Sequence, residues 1–339
     1  MDSLSQAALG AAVAVAVMQR RTALWKAAAF GAVAGTLPDL DVFIDHGDPI
    51  LNMVLHRAET HALFWLTLFS LPLGWAMAAL ARERHQWRPW WLASWAVLIT
   101  HPLLDAFTVY GTQLFLPFSN EPVGLGSMFI IDPAYTLPLL LGVLAALAFA
   151  QRAAALKLNA AGLVLSTAYL GWSALAQAHV ADVARESLAA QGLKADRLLV
   201  TPSPFNTVLW RVLVMRRDGY EEGFRSLRDG DRPVRFSAHP LDASLREELR
   251  GIAAVELVAE FSRGFYRLDE RDGTVRVTDL RMGQEPAYVF SFAVARRASA
   301  PQALVPPVAI GGRGDVRIGE ALSWLWRRAG GADIDPPRG

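Results

Sequence analysis

The strongest constraint on this chain is a set of polar residues at the ends of long apolar segments or inside them. Asp39 and Asp41 fall in GTLPDLDVF, His56, Arg57 and His61 in HRAETH, and His101 and Asp105 in THPLLDAFT. A carboxylate or imidazole in or beside a bilayer is costly unless it is paired, hydrated or bound to a metal. Histidine and aspartate together, at spacings that can converge, make a metal site the leading explanation.

A chain of 339 residues has room for two domains. Its apolar fraction of 53% and charged fraction of 19% are oily for a soluble protein, and the average hides a division. Residues 1–180 are Ala-, Leu-, Val- and Trp-rich, and read as a helical membrane domain carrying the His/Asp set. Residues 181–298, rich in Arg, Asp and Glu, read as a small α+β soluble domain. Residues 299–339, rich in Pro and Gly, are expected to be a poorly ordered tail. A net charge of +1, with no basic patch interleaved with aromatics, argues against a nucleic-acid partner. With no cysteine there is neither a disulfide framework nor a thiolate ligand. The start, MDSLSQAALG, lacks the basic region of a cleavable signal peptide.

Four segments, 61–80, 91–109, 134–150 and 159–178, approach the ~20-residue length that crosses a bilayer. Two shorter apolar stretches, 4–18 and 22–37, precede them as a hairpin or as re-entrant helices. The expected fold is therefore an α-helical membrane bundle of four spans plus two short N-terminal helices, followed by the α+β domain. Arg20, Arg21 and Lys26, then Arg82, Arg84 and Arg88, then Arg152 and Lys157 mark alternate turns. Loops 38–60 and 110–133 carry Arg57 as their one Lys or Arg. The positive-inside rule makes the basic turns cytoplasmic and those loops extracytoplasmic. Asp39, Asp41, His61, Asp105 and Asp132 then share one side, and the last span delivers the soluble domain to it.

His101 and Asp105 are four residues apart, on one face of a helix. They suit two ligands of one ion, or one ligand each in a two-metal site, with Thr100 and Thr108 as supporting hydrogen-bond partners. The alternative is an interhelical polar pair. Asp39 and Asp41 follow a helix that Pro38 ends; one should face a metal, while the other holds an imidazole or a second ion. The alternative there is a solvated Asx turn. His56 and His61, five apart, do not share a face on a straight helix. His61 is the better ligand, and His56 a second ligand or proton carrier. Arg57 either clamps an anion such as phosphate through its planar fork or pairs with an Asp or a lipid headgroup. Asp132 is a further ligand or a helix cap. His46 reads as solvated in a polar loop with Asp45 and Asp48, and His85 as out of reach on the cytoplasmic side; His179 and His239 lack clustered partners and read as structural.

In the soluble region DRLLVT, NTVLWRVLVMRR and AYVFSFAVARR read as strands, and FYRLDERDGTVRVTDL as a hairpin turning at Asp272-Gly273. LDASLREELRGIAAVELVAEF reads as one amphipathic helix.

Through DSLSQAALG, LPDLD, HRAETH, HPLLDAFTVYGT, PF at 117–118 and IIDP, residues 1–180 resemble the bacterial inner-membrane proteins known as membrane-bound metal-dependent hydrolases. The soluble segment resembles the extension of their longer members. That family is grouped at a distance with zinc phospholipase C and the single-strand-specific zinc nucleases. The resemblance implies a multi-pass inner-membrane protein with His101 and Asp105 as ligands, joined by Asp39 or Asp41 and by His61. Members often carry a histidine near the N-terminus, in a Thr-His pair; this chain reads Ser5-Gln6 there.

The expected function is a metal-dependent hydrolase of phosphoesters, on a lipid or lipid-linked substrate at the extracytoplasmic face. Asp39, Asp41, His61, His101 and Asp105 would hold a divalent metal, with Arg57 and His56 in catalytic roles. The ligand types permit Zn, Mn or Fe and favour Zn. The competing expectation is a non-catalytic membrane protein, with a structural or ion-carrying cluster and a soluble domain that binds a partner.

Overall fold

The computed structural model describes residues 1–297, 301–311 and 317–337. The chain forms two compact units: one of Met1–Ile44, His56–Ala174 and Pro204–Asn206, the other of Asp45–Leu55, Leu175–Ser203 and Thr207–Gly339. The segment 45–55 thus leaves the first unit for the second.

The first unit is helical. α1 (Ser3–Met18) and α2 (Leu24–Thr36) are joined by a short 3-10 turn, Gln19–Arg21. Their backbones touch: a Cβ built on Gly10 would lie 2.2 Å from the Gly31 carbonyl oxygen, so glycine is required at the crossing. α2 stops before Pro38, as expected of the residue preceding a proline, and a 3-10 turn, Pro38–Phe43, follows. A short helix of the second unit, α3 (Pro49–Leu55), comes next in the chain. The first unit resumes with a 3-10 turn at Glu59–His61, then α4 (Leu63–Leu80), α5 (Trp87–Asp105), α6 (Pro133–Ala148) and the start of α7 (Ala154–Ala190). α5 buries Trp90, Ala93, Ser94, Val97, Leu98, His101, Leu104 and Asp105, a stripe at helical spacing. His101 and Asp105 are thereby carried into the interior.

Basic turns meet at one end of this unit. Thr22, Lys26 and Trp90 donate to the Glu83 carboxylate at 2.8–3.1 Å, and Arg20 donates to the carbonyls of Ala150 and Arg152.

Of the four expected spans, two lie in helices long and apolar enough to cross a membrane, α4 and α7. α6 has 16 residues, about 24 Å at 1.5 Å per residue, against a hydrocarbon core of about 30 Å. α5 is long enough, but Arg88, His101, Asp105 and its prolines lower its hydropathy.

In the second unit, β1 (Arg197–Pro202), β2 (Leu209–Met215), β3 (Gly219–Ser226) and β4 (Phe236–Pro240) form an antiparallel sheet in that order. Val212 and Val214 of β2 pack with Val180, Ala184 and Leu188 of α7, while Leu213 and Met215 pack with Phe265, Leu280 and Tyr288. Both faces of β2 are covered, which explains its continuous apolar run.

The expected single amphipathic helix is two, α8 (Ala243–Glu248) and α9 (Ala253–Phe261). Gly251, at φ +86°, lies between them, where the chain turns out of helical geometry. β5 (Tyr266–Arg271) and β6 (Thr274–Asp279) form the expected hairpin, with Asp272 and Gly273 both at positive φ. A two-strand ribbon, β7 (Gly283–Gln284) and β8 (Ala287–Tyr288), follows, then β9 (Ser291–Arg296).

The stretch 299–339 departs from the expected tail. β10 (Gln302–Ala309) pairs with β9, giving a second sheet ordered β10-β9-β6-β5, and α10 (Ile318–Ala329) buries Trp324 and Leu325. Pairing on β9 and an amphipathic stripe order these segments despite their Pro/Gly-rich setting. Residues 299–300, 312–316 and 338–339 of that stretch lie outside the described residues.

Candidate metal centre

Four side chains from three places in the sequence converge in the first unit. Asp39 comes from the 3-10 turn after α2, His61 from the turn before α4, and His101 and Asp105 from the last turns of α5. Their ligand atoms all lie within 4.8 Å of one another. His61 Nε2 is 3.1 Å from His101 Nε2, 3.4 Å from Asp39 Oδ1 and 3.4 Å from Asp105 Oδ2. His101 Nε2 is 3.5 Å from Asp39 Oδ1 and 3.6 Å from Asp105 Oδ2. Ligand atoms bound tetrahedrally at about 2.0–2.2 Å stand about 3.3–3.6 Å apart. The five separations that involve an imidazole are thus close to those around a tetrahedral ion, and the cluster could hold a metal ion.

The hydrogen bonds behind each imidazole fix which nitrogen faces inward. His101 Nδ1 is 2.7 Å from the Gly35 carbonyl oxygen, which can only accept, so Nδ1 carries the hydrogen and Nε2 the lone pair. For His61 the link passes through Thr60. The Thr60 hydroxyl donates to Asp41 Oδ2 at 2.7 Å, so it accepts from His61 Nδ1 at 2.9 Å. Both Nε2 atoms are left as acceptors, the tautomer that a metal requires.

Asp41 stands apart from the four. Its Oδ1 pairs with His56 Nδ1 at 2.8 Å, and its Oδ2 accepts from the Arg57 backbone N–H at 3.0 Å as well as from Thr60. Of the two roles open to the Asp39/Asp41 pair, Asp39 faces the cluster and Asp41 holds imidazoles. Burial raises the proton affinity of Asp39, while hydrogen bonding from His101 and His61, when Nε2 carries a proton in place of a metal, lowers it and outweighs burial. For Asp41 burial is likewise outweighed, here by His56, the Arg57 amide and Thr60.

His56 and His61 do meet, with ring centroids 6.0 Å apart, because the chain between them is not a straight helix. Arg57 sits at φ +66°, a strained conformation for a bulky residue, and ends the helical path. Its Nη1 donates to Thr108 Oγ1 at 3.1 Å, its Nε lies 3.4 Å from Asp105 Oδ2, and its guanidinium stacks over the Tyr110 ring. Arg57 is thus buried beside Asp105.

Other expectations resolve locally. Thr108 supports the site by donating to the Asp105 carbonyl, whereas Thr100 bonds back to its own helix. Asp132 caps α6 through the Ala134 N–H and accepts from the Tyr169 hydroxyl. His239, in the second unit, stacks on Tyr220.

One residue of the centre was seen in the sequence only as a missing imidazole. Gln6 of α1 is 1% exposed and donates to Asp105 Oδ1 at 3.1 Å. The Met1 amino group meets the same oxygen. Gln6 was legible by the criterion that exposed the others, a polar side chain in an apolar helix. Among the described residues, Gln6 Oε1, Arg57 Nε and Asp105 Oδ2 are three of the nine buried side-chain atoms without a hydrogen-bond partner. Buried polar groups are nearly always satisfied, so three around one point mark a place built for something more than helix packing.

Fold and site together define a protein whose helical unit holds a two-His, two-Asp cluster, buried at His61, His101 and Asp105 and half-buried at Asp39, that could bind a metal ion. The model of the YdjM inner membrane protein family matches residues 1–180. The chain belongs to that family. With its two long apolar helices, this points to a membrane protein. Among curated proteins it is similar to the uncharacterized protein YfhP of Bacillus subtilis (strain 168), 29% identical over 100 residues, 28% of this chain. The match covers 29% of YfhP. No solved structure matches the chain.

Proposed function

We propose that this protein is a membrane-bound, metal-dependent hydrolase acting on phosphoesters of lipid or lipid-linked substrates at the extracytoplasmic face. The observation that carries the reading is the convergence of the four ligand atoms of the cluster within 4.8 Å, with the five separations that involve an imidazole between 3.1 and 3.6 Å. Asp39, His61, His101 and Asp105 would hold the ion, with zinc favoured by two imidazoles and two carboxylates and no thiolate. When bound, such an ion lowers the pKa of a bound water toward neutrality and polarises a phosphoryl oxygen.

The chain's own residues supply the rest. Gly35 and Thr60 orient the two imidazoles, and Asp41 anchors Thr60. His56, braced by Asp41 at Nδ1, is placed to carry a proton at Nε2. Arg57 lies beside Asp105 and offers the cationic fork for a phosphate oxygen. Exposed Leu40, Val42, Phe43 and Ile44 follow or alternate with the two aspartates, which favours an amphiphilic substrate. The meeting of basic turns at one end of the helical unit supports a multi-pass arrangement with the cluster on the outer side and the β-rich unit extracytoplasmic.

The test is metal analysis of the purified full-length protein beside His101→Ala and Asp105→Ala, followed by phosphodiesterase and phosphomonoesterase assays on lipid and soluble substrates. The expected result is near-stoichiometric metal in the wild type, loss in both variants with the fold retained, and activity that follows the metal. A metal-free wild type overturns the reading.

A second reading rests on the same four donors, since four suffice to close a tetrahedral ion, and closed sites are structural. It makes the protein a non-catalytic membrane protein whose β-rich unit binds a partner. Metal retained without any hydrolysis, with unfolding on chelation, is its expected signature.

A further inference from the structure

We propose that Gln6 is a positioning residue of the metal centre, locking Asp105 so that it presents a single oxygen to the ion. This rests on the metal reading of the four-residue cluster. The Gln6 amide nitrogen contacts two acceptors, the His101 carbonyl oxygen at 3.2 Å and Asp105 Oδ1 at 3.1 Å. A flipped amide would set its oxygen against both, so the nitrogen belongs there and its two hydrogens are both used.

Asp105 Oδ1 is thereby committed to Gln6 and the Met1 amine, while Oδ2 accepts no hydrogen bond and faces both imidazoles. One carboxylate is divided into a held oxygen and an offered one. Bonds behind a ligating carboxylate act in this way, fixing its orientation and tuning the ion.

A role confined to helix packing does not explain the choice of glutamine. Gln6 Oε1 is buried without a donor, an unfavourable state that an apolar side chain would avoid. Leucine or methionine would fill the α1–α5 contact without an orphaned acceptor. The neighbours of Gln6 on the buried side of α1 are apolar or small, apart from Ser5.

The test is Co²⁺ titration of the full-length protein in detergent, following the visible absorption of the bound ion, for the wild type and Gln6→Leu. Gln6→Leu is expected to weaken Co²⁺ binding about 10–100-fold. Its spectrum should move toward weaker, higher-coordinate absorption as Asp105 turns to offer both oxygens. Melting of the metal-free protein should be unchanged or higher. Gln6→Met, closer in shape, carries the same expectation should the leucine variant fail to fold. Wild-type affinity and spectrum in the variants overturn the proposal, as does a metal-free melting loss that accounts for the weaker binding. A wild type that binds no Co²⁺ is a different failure, because it removes the metal site itself.

Discussion

In the second unit, Arg211 meets Glu222 at 2.6 Å and Arg267 meets Glu285 at 2.6 Å, each buried or half-buried carboxylate answered by a guanidinium. In the first unit, two carboxylates and two imidazoles crowd a single point, with Arg57 and the Met1 amine to one side of Asp105. Among the described residues, Asp105 Oδ2 is the one buried carboxylate oxygen without a hydrogen-bond partner. Charge buried with its complement is a closed arrangement that holds elements in place. Charge and lone pairs aimed at a common centre are an open arrangement that a cation completes. The difference separates structural polar groups from functional ones where burial alone does not.

The sharpest way to break this contrast is to remove one partner from the closed pair. Arg211→Leu should cost about 3–5 kcal/mol, because Glu222 is left buried and unpaired, with metal content of the surviving folded protein unchanged. Denaturant unfolding checks it, and a neutral result would show that the pair is not holding the sheet. Asp105→Asn should abolish metal uptake, with a smaller fall in metal-free melting, because the amide keeps the shape of the side chain while Arg57 and the Met1 amine lose their carboxylate. A large fall in metal-free stability would make the open cluster as structural as the closed one. Chelation of the wild type should remove about 2.7 kcal/mol at an ion concentration of 100 times Kd, with no such shift in Asp105→Asn; calorimetry with and without chelator tests this. The smallest effect is expected for Thr60→Val, which removes the link that sets the His61 tautomer. Metal affinity should fall about 10–100-fold with the fold intact, as read by competition with a chromophoric chelator.

Much of this was legible in the sequence. The apolar run 91–109 marked α5, and their four-residue spacing put His101 and Asp105 on one of its faces; Pro38 marked the end of α2, and Asp272-Gly273 the hairpin. The misreadings have local causes. Gly251 splits the expected helix into α8 and α9. β10 and α10 were hidden because composition reports proline and glycine content, not the strand β9 that β10 pairs with. Two of the expected spans fail on length or hydropathy, quantities that depend on where a helix is capped and on its few charges. Arg57 at φ +66° brings His56 toward His61, and a spacing rule for straight helices cannot see such a bend.

The sequence by itself determined which residues are too costly to bury without a purpose, because that cost follows from side-chain chemistry and apolar surroundings alone. It also determined that they belong together, since charge asymmetry and helical period are properties of the linear order. Only the tertiary structure decided the division of labour: Asp39 rather than Asp41 at the centre, Thr60 as the link behind His61, and Gln6 behind Asp105. Those assignments depend on tenths of an ångström between residues up to 99 positions apart. Packing sets distances of that kind, and no local pattern encodes them.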